Sequence, residues 1–334
     1  MRVLFRLWFC LLRLFQPGRA GWLPNTLLVL VLTLVLAPPA AGQFRLRKAR
    51  AVAAPRPPVN APPADPVVVR LQLFQAAQLT NSFKESEALA VYQDILKTSP
   101  THYLALWQAA ALSVRIGSRY SDETRKAAYF DAARQYADRA LLLQPEGGES
   151  NYAAALALLH QATLYRAGAR LAAFRDLRSY VYLATQRRPD LPEAWQLLGR
   201  WQYRVAHYNV LERAYSRLVL GGVPAGGDSR EAMDDLEKAR QLDPQNLQFC
   251  FDLARMCRYQ GRRRRAIEVL REAEKIPAIT GEDLVVSRLC RKMLPPLLRA
   301  DARRQKRLYR RPPPGLNPGA AGGELPGGSV FKAE

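Results

Sequence analysis

The chain has 334 residues, 49% of them apolar, with 24 prolines, four cysteines and a formal net charge of +21. That apolar share excludes a chain disordered throughout and can fill one substantial core or two modest ones. The charge is uneven: residues 1–66 carry nine basic and one acidic side chain, residues 67–298 carry 33 and 25, and residues 299–334 carry eight and three. Most of the excess sits at the ends, which argues against reading the middle as a nucleic-acid surface.

In residues 1–42, Arg2, Arg6, Arg13 and Arg19 precede the apolar run "LLVLVLTLVLA" (27–37), and "PPAAG" follows it. A basic stretch, a short apolar run and a small-residue site make the order of a secretory signal, cleaved after Ala41 or Gly42. Two alternatives stay open. Residues 22–41 could remain as a membrane anchor, although Pro24, Pro38 and Pro39 cut the apolar run below the ~20 residues a span prefers. The arginine-rich start, with no acid before Asp65, also fits an organelle presequence. Residues 43–66 are basic and proline-rich, with no apolar pattern to bury, and are expected to form an extended linker.

From residue 67 the chain reads as helix. "KESEALAVYQDILK" (84–97) and "REAMDDLEKARQL" (230–242) place apolar residues three and four apart, with charges opposite. Four segments end in proline, at Pro100, Pro145, Pro189 and Pro244. Counting back from each proline aligns Ala88, Ala133, Leu177 and Ala232, then Ile95, Ala140, Ala184 and Ala239. A fifth segment carries Ala266, Leu270 and Ala273 before Pro277, ending one residue early. Small residues let two helices approach, and proline stops the second of them, so the unit is a helix pair repeated about five times.

The first helix of one pair contains "WQLLG", in which Trp195, Leu198 and Gly199 fall at the spacing of the tetratricopeptide (TPR) signature, with Tyr203 one place late. Looser copies are "YLALWQAAALSV" (103–114) and "FCFDLARMCRYQG" (249–261). The chain therefore resembles an all-α, TPR-like helical-hairpin solenoid, and Trp195 reads as a packing residue between repeats. Over 102–294 it is similar to the regulator of microtubule dynamics family. The resemblance is carried by "LWQAAALSVRIGS", "AARQYADRALLLQP", "LLGRWQYRVAHYNVLERAYSRLVLGG", "AMDDLEKARQLDPQN" and "AITGEDLVVSRLCRKML". Insertions at 117–130 and 206–229 make the repeats irregular, and "NVLERAYSRLVLGG" reads as an extra helical turn and loop. The resemblance implies a non-enzymatic helical scaffold, associated in some members with microtubules. An export signal would remove that partner.

Residues 299–334 are basic and rich in proline and glycine, and are expected to be a disordered tail. "RRRR" (262–265) and "RADARRQKRLYRR" (299–311) would neutralise phosphates without sequence choice. They suit an anionic membrane surface or another polyanion better than nucleic acid in an exported chain.

Catalytic signatures are missing: no G-x-x-x-x-G-K-[ST], no H-E-x-x-H, no G-x-S-x-G, and no lysine in "GGVPAGGDS" (221–229). No enzyme and no cofactor are expected. His102, His160 and His207 lie in different units, so no metal site is expected either. Cys10 falls in the targeting segment. Cys250 and Cys257 lie seven apart on one helix, about 10.5 Å along its axis, beyond disulfide reach. With Cys290 they read as buried small hydrophobes.

Function then falls to the wall formed by the first helices. By the repeat register that wall carries Glu193, Gln196, Arg200, Tyr203 and Arg204 in one unit, and Gln248, Phe251, Arg255, Arg258 and Tyr259 in the next. Arginine forks suit carboxylates, and tyrosine gives apolar area with a polar tip. The expected ligand is an acidic protein segment or a free C-terminus, bound by Arg200, Tyr203, Arg204, Arg255, Arg258 and Tyr259. TPR domains that clamp a terminal carboxylate usually do so with lysine and asparagine, and neither stands at these positions. Two readings compete with it: an arginine-rich solvated face partly covered by the 206–229 insertion, and attachment to an anionic surface through the basic ends, with the repeats as spacer.

Overall fold

Four helices of the protein end in almost the same way, and that ending sets the architecture. In this computed structural model the described residues are 65–310. They belong to the second of two compact units, Met1–Val59 and Asn60–Glu334; residues 1–42, the linker before Asp65 and residues beyond 310 lie outside the described residues. Among the described residues there are twelve helices and no strand. They are α1 (Pro66–Asn81), α2 (Glu85–Thr98), α3 (Tyr103–Arg119), α4 (Glu123–Leu143), α5 (Gly148–Leu164), α6 (Ala167–Arg187), α7 (Pro192–Ala206), α8 (Val210–Val219), α9 (Ser229–Leu242), α10 (Leu247–Tyr259), α11 (Arg263–Ala273) and α12 (Gly281–Arg310).

The residue capping α2, α4, α6 and α9 is in each case the one before the proline. Ser99, Gln144, Arg188 and Asp243 have φ of −129°, −137°, −131° and −136°, with ψ of 77°, 84°, 71° and 86°. Proline disfavours the helical region for the residue before it, and at these four positions the helix stops there. The next helix starts three residues after the proline, at Tyr103, Gly148, Pro192 and Leu247. Identical exits and entries stack the pairs α1–α2, α3–α4, α5–α6, α7–α9 and α10–α11, with α12 packed on α10 and α11.

The aligned residues do what their spacing predicts. Ala88, Ala133, Leu177, Ala232, Ile95, Ala140, Ala184, Ala239, Ala266, Leu270 and Ala273 are all buried. Gly199 lets α7 approach the backbone of α9: a Cβ built there would stand 2.7 Å from the Ala232 carbonyl oxygen and 3.1 Å from Leu236 Cγ. The core is a string of clusters handed from pair to pair, as in a solenoid whose repeats touch only their neighbours. Trp195 is half-buried, donating from Nε1 to the Pro189 carbonyl at 2.9 Å with the Lys238 ammonium 3.5 Å from its ring centroid. The deeper anchor is Trp201, fully buried and donating to the Phe174 carbonyl at 2.7 Å.

Both insertions are helical in large part. Most of 117–130 belongs to the end of α3 and the start of α4, which is 21 residues long. The insertion at 206–229 forms α8, with a capping box between Asn209 and Glu212. Helix α12 runs past residue 298 to Arg310, through Pro295 and Pro296. Beyond the prolines, Gln305 donates to Asp301 at 3.0 Å, one helical turn apart, and Asp301 also faces Arg264 at 3.9 Å. Cys250, Cys257 and Cys290 are buried and unpaired. Among the described residues no helix is long and apolar enough to cross a membrane.

Candidate peptide-binding wall

The first helices of successive pairs, α3, α5, α7 and α10, touch in sequence, and α10 touches α12. At 8–10 Å per step, a flat row would leave α3 roughly 35 Å from α12. Yet Arg119, the last residue of α3, pairs with Glu282 in the first turn of α12 as well as with Glu85 of α2. The row is therefore curved, and its inner side is a groove.

Gln196 shows which face of α7 looks into that row: its Nε2 donates to Asp252 Oδ2 of α10 at 2.9 Å. Asp252 is 2% exposed and also faces Arg255 at 3.6 Å. The Arg255 guanidinium lies 5.8 Å from the Phe251 ring centroid. Tyr203 lies one to two turns beyond Gln196, its ring 4.0 Å from His207, whose Nε2 is 3.0 Å from Gln260 Nε2. Burial pushes the Tyr203 phenol up, against the pull of nearby Arg255 and the Gln260 hydrogen bond. Tyr259 is close enough to add to the rise, and its ring carries Arg258 at 5.9 Å. Tyr203, Arg255, Arg258 and Tyr259 thus share one end of the wall.

Arg200 sits one turn before Tyr203, half-buried, with no hydrogen bond or ion pair among the described residues. Its charge reaches His160 on α5. Desolvation, then the charges of Arg200 and Lys126, push that imidazole down to about 4. His160 lies edge-on to Phe130 at 5.3 Å, its Nδ1 3.3 Å from Ser118 Oγ. Tyr152, buried on the same helix, is held above the usual phenol range by desolvation first and by Glu193 of α7 second.

Arg204 does not join this group. It makes a bidentate pair with Glu212 of α8 and lies over the Phe174 and Tyr208 rings at 5.8 and 5.1 Å. The register placed it on the wall; the insertion draws it away. The Arg204 hydrogen bond is the main reason the Glu212 carboxyl lies below its ordinary range, burial opposing and the Asn209 amide assisting. Gln248 is half-buried at the start of α10, donating its amide to Asn246 at 3.1 Å.

Asp252, His160 and Tyr152 were not among the sequence-predicted wall residues. Asp252 had a signal, an acid in the run "FCFDLARM" (249–256), where the other charged residue is Arg255 and the rest are apolar. Among the described residues no group of three or more His, Cys, Asp or Glu side chains could hold a metal ion.

Stacked helix hairpins with a polar inner wall define a TPR-like solenoid. The family model described as regulator of microtubule dynamics protein 1-3 matches residues 72–298, and the chain belongs to that family. Regulator of microtubule dynamics protein 3 of Mus musculus is 24% identical over 219 residues, covering 64% of this chain and 46% of that protein. The Rattus norvegicus protein of the same name is 25% identical over 179 residues, covering 53% and 38%. The matched region thus spans less than half the length of these curated relatives. Among solved structures, a thermophilic TPR protein of Thermus thermophilus aligns with a TM-score of 0.50 at 15% identity, over 67% of this chain and all of that one.

Proposed function

We propose that this chain is a non-enzymatic TPR-like scaffold whose α7–α10 wall binds an acidic protein segment. The carrying observation is Arg200, half-buried on the wall with no acid opposite it. A guanidinium held there is partly desolvated and has fork donors to offer a carboxylate. Arg255 and Arg258 add charge, while Tyr203 and Tyr259 add apolar area. Asp252 holds Arg255 in place and takes up part of its charge, so Arg200 makes the stronger contact.

The test is binding of a fluorescent acidic peptide by anisotropy at moderate salt, using the full chain. Replacing Arg200 and Arg255 together by Ala weakens binding more than ~10-fold if each removes a charge-assisted contact of ~1.5–3 kcal/mol, with helicity unchanged. Unaltered affinity overturns the proposal and moves the site to the basic run after Arg299. The proposed setting, exported or membrane-tethered, rests on the order of residues 1–42 alone, and recovery of the mature N-terminus by mass spectrometry tests it. Family membership supports a second reading, association with microtubules, which co-sedimentation with polymerised microtubules decides.

A further inference from the structure

Helix α8 is turned inside out relative to the other helices. Its buried side chain is Ser216, while Val210, Leu211, Leu218 and Val219 are 81%, 79%, 85% and 60% exposed. The chain goes to some length to hold it so. The capping box fixes the first turn, Arg204 clamps Glu212, and Arg175 and Arg178 donate to the carbonyls of Leu220 and Ala225 just beyond the last turn. Tyr215 rests on Gly168 of α6, where a built Cβ would come 2.6 Å from its hydroxyl. Polar contacts thus anchor a helix whose apolar side chains point into solvent.

The charge around this ridge has one sign. Glu212 is neutralised by Arg204, and Asp176 by Arg175 at 3.1 Å. What remains is Arg213, exposed with one long contact to the Ala206 carbonyl at 3.4 Å, and Arg217, exposed with no hydrogen bond or ion pair among the described residues. An apolar ridge flanked by exposed guanidinium groups with no acidic partner is the pattern of a helix that lies in the plane of a membrane interface. The ridge is one ten-residue helix, about 15 Å long. Its apolar face is on the order of a few hundred Å², short of the ~800 Å² per partner of a stable protein interface. A bilayer needs no complementary groove.

We infer that α8 is a lipid-docking ridge: Val210, Leu211, Leu218 and Val219 enter the headgroup–acyl boundary of an anionic membrane while Arg213 and Arg217 pair with lipid phosphates. This site is separate from the α7–α10 wall and from the basic ends of the chain.

The test follows one residue, because the ends of the full chain could bind vesicles on their own. In a Cys10→Ser background, Leu218→Cys carries an environment-sensitive fluorophore, and Leu142→Cys on α4, also exposed, carries it in a control. With phosphatidylcholine vesicles containing phosphatidylserine, the label at 218 shifts to the blue and is quenched by bromine-labelled acyl chains, and the label at 142 does neither. Adding Arg213→Ala and Arg217→Ala lowers the vesicle affinity read at 218 at least fivefold. A chain that sediments with vesicles while residue 218 stays in water overturns the inference in favour of the ends. So does a shift of equal size with phosphatidylcholine alone. A concentration-dependent shift without vesicles overturns it in favour of a second copy, and no binding to either vesicle overturns it outright.

Discussion

The α7–α10 wall and the α8 ridge grow from the same repeat and expose opposite chemistry. On the wall, a buried carboxylate, Asp252, ties Gln196 of α7 to Arg255 of α10. On the ridge, leucines and valines stand in water while the polar atoms of the helix are turned inward or clamped. Arg200 and Arg204 are one turn apart on α7, yet one faces the neighbouring repeats and the other the insertion. The lesson is that a solenoid can expose two contrasting surface chemistries without a second domain, provided an insertion recruits side chains that the repeat would otherwise present on its wall.

The most damaging way to break this arrangement is at Gly199, because α7 supports both regions. In Gly199→Leu the new side chain meets the Ala232 carbonyl, a backbone atom that cannot rotate away. The cost lies at the upper end of overpacking, about 3 kcal/mol, or ~6–12 °C in Tm for a domain of this size. Thermal unfolding checks it; an unchanged Tm would mean that α7 does not pack on α9 as described.

A smaller change separates the two regions. Arg204→Ala leaves the partly buried Glu212 unpaired and removes the clamp on α8, costing about 1–2 kcal/mol. Hydrogen exchange should speed up in residues 208–222 and stay unaltered in α10. Equal acceleration in α10 would show that ridge and wall are one cooperative unit.

On α9, which packs on α7, the carboxyl of Asp235 is pushed up to about 7 by desolvation first, then by Glu231 and Asp234. Its Oδ2 is buried without a partner. A raised folded value means that the folded state holds the proton more tightly, so the stabilisation is complete below the unfolded value and is lost as pH rises through about 7. Asp235→Asn should therefore raise stability at pH 8, by about 1 kcal/mol after allowance for partial exposure, and leave it nearly unchanged at pH 4. Chemical denaturation at the two pH values measures the difference.

These residues also mark where the sequence stops being informative. The prolines and the aligned small residues were legible because each acts locally: proline restricts its predecessor, and an alanine marks a close contact wherever the helix goes. On the wall, the nearness of Tyr203 to Arg255 and Tyr259 was legible, because they fall on the same register face of successive first helices. Arg204 was not, because its direction depends on how the chain returns through α8 to Glu212, eight residues later. The continuation of α12 to Arg310 was not legible either, because residues 299–334 read by composition as a tail. Asp235 looked like any acid on a charged helix face, its desolvation arising only when α7 closes over it.

His160 gives the smallest and most local reading of the wall. Its imidazole is depressed to about 4, desolvation acting first and the charges of Arg200 and Lys126 after it. For a histidine with a lowered folded value, the unfolded chain binds the proton more readily. Stability is therefore intact above the ordinary value of ~6.5 and declines as pH falls toward about 4. The group is half-buried, so the loss between pH 7.5 and pH 5 is reduced by solvent screening to about 1 kcal/mol, or ~2–4 °C in Tm. In His160→Gln that pH-dependent part disappears, and the gap between the two Tm values narrows by the same amount. Arg200→Ala should act on the same quantity from the other side: with the nearest charge removed, the His160 resonance titrates at higher pH by NMR. If its midpoint stays where it is in the unaltered protein, Arg200 does not face α5, and the half-buried guanidinium that carries the binding proposal points somewhere else.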